Sequence, residues 1–244
     1  MTLSSSSRAN PLPISLGYGR AVPQPLPLFP LGLVLFPGVV LPLHVFEERY
    51  RVLVAELLEL PEPERVFGVI AIRQGREVGA DGVAALYDVG CTARLRRVQR
   101  YDDGRYDILT TGATRFRLHE LAHDRPYLVG EVDLLDEEPG ASADADGLTD
   151  AVRTAFLDYL GALERAGATG VEVPELPEDP LVLSYLIAAS VLVDLEDRQL
   201  LLAEPDAAAR LRGALALLRR EIRLLSAFAA APAPELVRTP ISPN

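Results

Sequence analysis

The sequence predicts an α+β protein in which a compact β-rich half over residues 23–137 precedes a helical bundle over residues 148–231. Three observations carry this. Pro27, Pro30, Pro37 and Pro42 divide the early apolar stretch into short runs, Leu31 to Phe36 and Val39 to Leu43. Each proline fixes φ and removes a backbone donor, so those runs suit short strands and turns, not a helix. Asp103-Gly104, a strong turn dipeptide, sits between two alternating segments, Gly90 to Tyr101 and Arg105 to Leu118, and predicts a hairpin. From Leu148 onward the apolar spacing is helical apart from an irregular connection over 167–180, and strands never alternate with helices in a way that would build a parallel sheet. Many short strands with one early helix argue for a mixed barrel.

Residues 1–22, rich in Ser, Pro, Gly and Arg without periodicity, read as a flexible tail. After the proline-rich strands, Phe46, Tyr50, Leu53, Val54, Leu57 and Leu58 recur at helical spacing until Pro61, with Glu47 and Glu48 in the first turn, where the helix dipole favours carboxylates. Val66 to Ile72 is a continuous apolar run suited to a buried strand; Gln74-Gly75 predicts a turn, 76–79 a short returning strand and 80–85 a loop. A two-residue turn at Asp103-Gly104 places Asp102 opposite Arg105 and Arg100 opposite Asp107. Period-2 alternation then puts Cys91, Ala93, Leu95, Ile108 and Phe116 on one face, and Arg94, Arg96, Arg100, Arg115 and Asp107 on the other. Tyr127 to Leu135 reads as one more strand.

Residues 138–147 form a polar linker without an apolar anchor. Leu148, Val152, Ala155, Phe156, Tyr159, Leu160 and Leu163 make one helical stripe ending at Gly167. Asp179 is placed to cap a helix with Pro180 at its first position. Leu181 to Val193, apolar nearly all round, predicts the central buried helix of the bundle. A short helical run follows at Arg198 to Ala203. A last helix beginning at Pro205 carries Leu211, Leu215, Leu218, Ile222 and Leu225 toward a neighbour in the bundle. Residues 232–244 read as a second loose tail.

Composition excludes several function classes. Net charge is −11, and the imbalance lies mainly in the second half: residues 1–137 carry 18 acids and 15 bases, residues 138–244 carry 17 acids and 9 bases. Overall attraction to nucleic-acid phosphates is disfavoured. All 24 basic residues are arginine. Without lysine there is no Schiff base, no Ser–Lys dyad and no P-loop lysine. Cys91, the only cysteine, allows neither an internal disulfide nor a cysteine zinc cluster, and its alternating strand gives it a packing role. The N-terminus lacks the apolar core of a signal peptide, and the run from Leu181 to Val193 is too short to span a bilayer. The expected location is the cytoplasm, with no membrane contact.

LPLFPLGLVLFPG followed by LPLHVFEERYR closely resembles the opening motif of the Lon protease N-terminal, or LON substrate-binding, domain. The similarity continues through FGVI (67–70), GREVG (75–79), VGCTARL (89–95), GRYDILTTGATRF (104–116), PYLVGEV (126–132), the DRQLLL run (197–202) and the ARLRGALALL run (209–218). The resemblance implies a PUA-like pseudobarrel. It also implies a role in recognising polypeptide in a proteolytic setting. Full-length members carry an ATPase module and a Ser–Lys peptidase module; this chain has neither the length nor the lysine for them. It therefore reads as a standalone, non-catalytic member, without cofactor or metal, whose partners are unfolded or partly folded polypeptide and a protease.

Two surfaces are candidates for binding. Phe29, Leu33, Phe36, Val39, Val40, Phe46 and Tyr50 are more apolar residues than a few short strands readily bury, and some are expected to form a shallow groove for polypeptide. Phe46, Glu47, Arg49 and Tyr50 match the F-E-x-R-Y core of the family pattern. The plainer reading of each apolar residue is core packing. The alternative surface is an arginine face, Arg94, Arg96, Arg100, Arg115 and Arg117, able to meet nucleic acid or another anionic partner, acidic polypeptide or the acidic helical half of this same chain included; its plainer reading is a salt-bridged sheet face. Against RNA stand the net charge, the missing lysines and the lack of a stacking row of aromatics. His44 with Glu47 gives only a fragment of a zinc motif, and His119 and His123 lie far along the chain; the plainer reading is that His44 caps or packs at a strand–helix junction. The acidic pairs are sequential, and no nucleophile-elbow or dinucleotide-binding motif occurs.

Overall fold

The computed structural model describes residues 23–75, 83–122, 125–137 and 145–230. The two tails, the returning strand at 76–79, the first part of the loop at 80–85, His123 and linker residues 138–144 lie outside the described residues. Strands β1 (Gln24–Leu31), β2 (Val40–Val45), β3 (Val66–Gly75), β4 (Val83–Leu86), β5 (Val89–Arg100), β6 (Tyr106–Ala122) and β7 (Val129–Leu134) form one sheet, with helix α1 (Glu48–Leu58) between β2 and β3. Helices α2 (Ala145–Arg165), α3 (Pro180–Ser190), α4 (Leu195–Ala203) and α5 (Ala207–Ala230) follow. The architecture is α+β, as the sequence predicts.

The sheet order β1-β7-β6-β5-β3 returns on itself because β1 also pairs with β3, from Leu28 opposite Gly68 to Leu31 opposite Ala71. That one parallel pair, connected through α1, closes a five-stranded barrel. Closure removes two exposed sheet edges. Strand β6 is long enough to serve several neighbours: Tyr106 to Thr111 pairs with β2, and Phe116 to Ala122 pairs with β7.

Phe116, though fully enclosed, leaves the predicted face: a register shift sets Arg115 opposite Cys91 and Phe116 opposite Gly90, and Phe116 packs with Leu26, Leu28, Ile70 and Val132. The predicted interior is otherwise buried, with Cys91 and Ala93 enclosed and Leu95 and Ile108 beside them. Helix α1 presses Tyr50, Leu53, Val54 and Leu57 onto this interior. Each fully buried side chain of this kind stabilises the fold by roughly 1.5–3 kcal/mol. The Tyr50 ring stacks on Phe29 with centroids 3.9 Å apart and planes 12° apart. Phe46 does not belong to that stripe. It precedes the helix, which starts only at Glu48, and is half exposed.

Three local expectations are corrected. Val83–Leu86 is a strand along β3, where a loop was expected; irregular pairing at Gln74 and Gly75 accommodates it. The hairpin loop has three residues, not two: Tyr101 receives a bond from Gly104 and donates to Arg105, with Gly104 at φ +83°. A left-handed residue after a tight turn is the usual geometry of a three-residue hairpin loop. Arg100 therefore faces Tyr106, and Gln99 faces Asp107. Helix α3 is not buried all round, since Val182 is half exposed.

Capping follows the sequence. Asp179 accepts from the amides of Leu181 (2.7 Å) and Val182 (3.3 Å), with Pro180 opening α3. Asp194 accepts from Asp197 at 2.9 Å, and Asp206 from Ala209 at 2.7 Å. The helices are packed directly on the barrel: Val34, Phe36, Ala71 and Val89 share one core with Val152, Phe156, Leu183, Ile187, Leu211 and Leu218.

Candidate functional site

Residues directly opposite one another in an antiparallel pair share a face. Across β5, β6 and β2 this gives three rows: Arg94–Thr111–Val40, Arg97–Leu109–Pro42 and Gln99–Asp107–His44. Tyr106 and Ile108, one residue along, are buried, so the three rows face outward. The face is basic along β5 and apolar along β2. Among the described residues β2 pairs only with β6, which leaves its far edge open. Gly112 donates to the Val39 carbonyl at 2.8 Å, so bonded positions alternate from there and Pro42 falls where an amide would point to the open edge. A proline at that place blunts the edge against unwanted strand pairing.

The structure divides the apolar candidates. Phe29, Phe36 and Tyr50 are core residues, 7%, 1% and 3% exposed. Phe29 and Tyr50 spend their surface on one another, and Phe36 lies near Tyr185 of α3 at 6.4 Å between centroids. They are corrected from groove to core, because α1 and the helical half cover them. Leu33 and Val39 are partly buried against the barrel core. Val40 and Phe46 remain, at 55% and 51% exposed, on the outer face and at the end of β2.

The arginines divide too. Arg94 and Arg96 lie together on β5: Arg94 donates to the Pro63 carbonyl at 3.1 Å and Arg96 to Thr111 Oγ1 at 3.3 Å. Arg97 joins them. Alternation alone would turn it inward, but Leu95 pairs with Thr110 and Arg97 with Leu109, so Arg96 is an extra residue and both arginines are exposed. Such a bulge is the device that re-aims side chains. Arg100 sits apart, 5.9 Å over the Tyr106 ring, and Arg117 is exposed on the distant half of β6 opposite Asp133. The expected Arg100–Asp107 pair does not form.

Arg115 is corrected outright: its side chain is 1% exposed. The helical half covers this part of the sheet and turns its polar groups inward. Arg115 Nε bonds Glu137 Oε1 at 3.0 Å, and Nη1 donates to the carbonyls of Leu202 at 2.9 Å and Glu204 at 2.5 Å. Tyr185 donates to Glu137 Oε2 at 2.6 Å, while Arg210 stacks on the Tyr185 ring at 3.9 Å and donates to Ser184 Oγ at 2.9 Å. Gln199 donates to the Val89 carbonyl at 2.8 Å. This buried network joins barrel to bundle, and only three-dimensional proximity of Glu137, Tyr185 and Arg210 reveals it. Burial pushes the Tyr185 hydroxyl pKa well up, reinforced by Glu137.

His44 Nδ1 lies 2.6 Å from Asp107 Oδ1, and Tyr101 donates to Asp107 Oδ2 at 2.5 Å. Asp107 is held below the usual carboxylate range by the Tyr101 and His44 bonds. Glu47 pairs with Arg49 at 3.1 Å, so His44 and Glu47 have separate partners. His119 lies 2.7 Å from Asp133. Among the described residues no three His, Cys, Asp or Glu side chains converge as a metal site would require. Burial pushes the Cys91 thiol up to about 12. Among the described residues no helix is long and apolar enough to cross a membrane.

A closed barrel packed on a helical bundle, with an outward sheet face half basic and half apolar, defines the class of protein. Residues 25–220 match the ATP-dependent protease La (LON) substrate-binding domain, and the chain belongs to that family. Lon protease 2 of Myxococcus xanthus is 31% identical over 206 residues, covering 84% of this chain and 24% of that protein. Lon protease of Roseiflexus castenholzii is 32% identical over 206 residues, covering 84% of this chain and 25% of that protein. The chain thus spans about a quarter of the length of the curated relatives it matches. Among solved structures, a Lon N-terminal domain protein from Xanthomonas campestris is similar with a TM-score of 0.55 at 25% identity, covering 79% of this chain and 98% of that one. The N-terminal domain of the Mycobacterium avium complex Lon protease gives 0.57 at 18% identity, covering 80% and 98%, a likeness of fold alone.

Proposed function

We propose that this chain binds unfolded or partly folded polypeptide without catalysing its cleavage. It acts in the cytoplasm as a substrate-recognition or adaptor factor for proteolysis, with a protease as its further partner. The observation that carries this reading is the pair of large apolar side chains, Val40 and Phe46, standing half exposed on the open strand of a LON substrate-binding domain. Exposed apolar surface beside polar residues suits an extended segment whose own apolar side chains seek cover from water. Leu109 and Pro42 extend that surface across β6 and β2.

The test is a fluorescence-anisotropy titration of reduced, carboxymethylated α-lactalbumin with the parent protein and with V40S/F46S, at low and high salt. Apolar capture predicts binding that persists at high salt and weakens about tenfold or more in the variant. Absence of binding, or equal affinity in V40S/F46S, overturns the reading.

A further inference from the structure

Beside the arginine edge of β5 runs a groove of about 530 Å³, bounded on its other side by the connection from α1 to β3. Leu58, Pro63 and Val98 give it apolar walls, and Arg94, Arg96 and Arg97 line its sheet side. One carboxylate, Glu62, stands among the lining residues. Arg65, also in the lining, is engaged with the carbonyls of Leu60 at 2.9 Å and Leu58 at 3.4 Å. Among the described residues none of Arg94, Arg96 and Arg97 is ion-paired with a carboxylate. Elsewhere in this chain of net charge −11, Arg49, Arg51, Arg105, Arg115, Arg125 and Arg220 have carboxylate partners.

Three guanidinium groups held on one short ridge repel one another, and the β5 bulge brings two consecutive ones to the same side. A carboxylate between them would relieve that repulsion. The planar donor fork of arginine matches a carboxylate through two parallel bonds. The apolar walls offer cover to an aliphatic side chain next to the acid. No aromatic side chain lines the groove, so it has no stacking platform for a nucleotide base.

We propose that the groove between β5 and the α1–β3 connection binds an acidic segment of a polypeptide, with Arg96 and Arg97 engaging its Asp or Glu carboxylates and Leu58 and Val98 covering an adjacent aliphatic residue. This site is separate from Val40 and Phe46, and it adds a charge preference to a protein whose other candidate surface selects only for apolar character.

The test uses the full chain and a fluorescein-labelled peptide of repeating Glu-Leu-Glu-Glu, its Gln-for-Glu counterpart, and single-stranded oligouridylate, read by anisotropy. The acidic peptide is expected to bind, to weaken as salt screens the contact, and to lose roughly tenfold in affinity in R96Q/R97Q. V40S/F46S is expected to leave this binding unchanged, which separates failure here from failure of apolar capture. Far-UV circular dichroism checks that the variant is folded; should the double variant unfold, R96Q and R97Q singly are each expected to cost about threefold. The proposal is overturned by no binding of the acidic peptide, by equal binding of the Gln counterpart, by undiminished affinity in the folded Arg variants, or by tighter binding of oligouridylate than of peptide.

Discussion

Replacing Arg115 by Met keeps an unbranched aliphatic stem but removes the guanidinium at the junction of barrel and bundle. The loss is specific. Glu137 forfeits contacts at 3.0 and 3.4 Å, and the carbonyls of Leu202, Glu204 and Pro205 forfeit donors at 2.9, 2.5 and 3.4 Å. Breaking a buried pair by removing one partner costs about 3–5 kcal/mol. Glu137 retains 23% exposure and keeps its bond from Tyr185, which moves the expectation toward the lower end. The stranded Leu202 carbonyl adds roughly 1 kcal/mol. About 3–4 kcal/mol is expected for R115M, which lowers the urea midpoint by roughly 1–2 M if the slope is about 2–3 kcal/mol/M. Urea titration followed by far-UV circular dichroism measures this. In R115M/E137M the penalty should fall well below the sum of the two single variants, because both ends of the pair are gone. A midpoint for R115M within about 0.2 M of the parent would refute the buried network as a stabilising joint.

Two further expectations follow from buried groups. The Cys91 thiol, enclosed and pushed up to about 12 by burial, should not react with Ellman's reagent in native buffer near neutrality but should react fully in urea; rapid reaction of the native protein would contradict its placement. Tyr127 donates to Glu56 at 2.5 Å and its pKa is raised to about 12, first by burial and then by that carboxylate. A tyrosine in the unfolded chain titrates near ~10, so the folded pKa is the higher one and the stabilisation is intact below pH ~10 and lost as pH rises toward about 12. The urea midpoint should hold to pH ~9 and fall above ~10, by a smaller amount in Y127F, whereas an identical fall in both proteins would show that Tyr127 is not the cause.

The sequence shows most of the architecture because its signals are local. Prolines mark the breaks between strands, Asp179-Pro180 marks a helix start, and the stripe from Val152 to Tyr159 marks a buried helical face. It misleads where a single residue changes the parity of a strand. Gly104 adds one residue to the hairpin loop and moves Arg100 from Asp107 to Tyr106; Arg96 adds one to β5 and brings Arg97 outward. Period-2 reasoning cannot see either shift, since both are set by tertiary pairing. The apolar candidates were only half legible for another reason. Phe29 and Phe46 are alike in type, and only the position of α1 decides that one is stacked on Tyr50 and the other half exposed. Arg115 shows the same limit from the polar side: a charge reads as surface until a second layer covers it.

The way Glu137 is shared has a consequence for how such chains can be cut and recombined. It follows the last barrel strand, yet its two oxygens are held by a barrel arginine and a bundle tyrosine. Expressing the halves apart, divided within 138–144, would leave Arg115, Phe36 and Val89 on the barrel side facing water, with Tyr185 and Arg210 uncovered on the other. Neither product would be a finished surface. The two halves differ in composition, in charge and in secondary structure, but they share one core, and any graft onto another protein has to carry both.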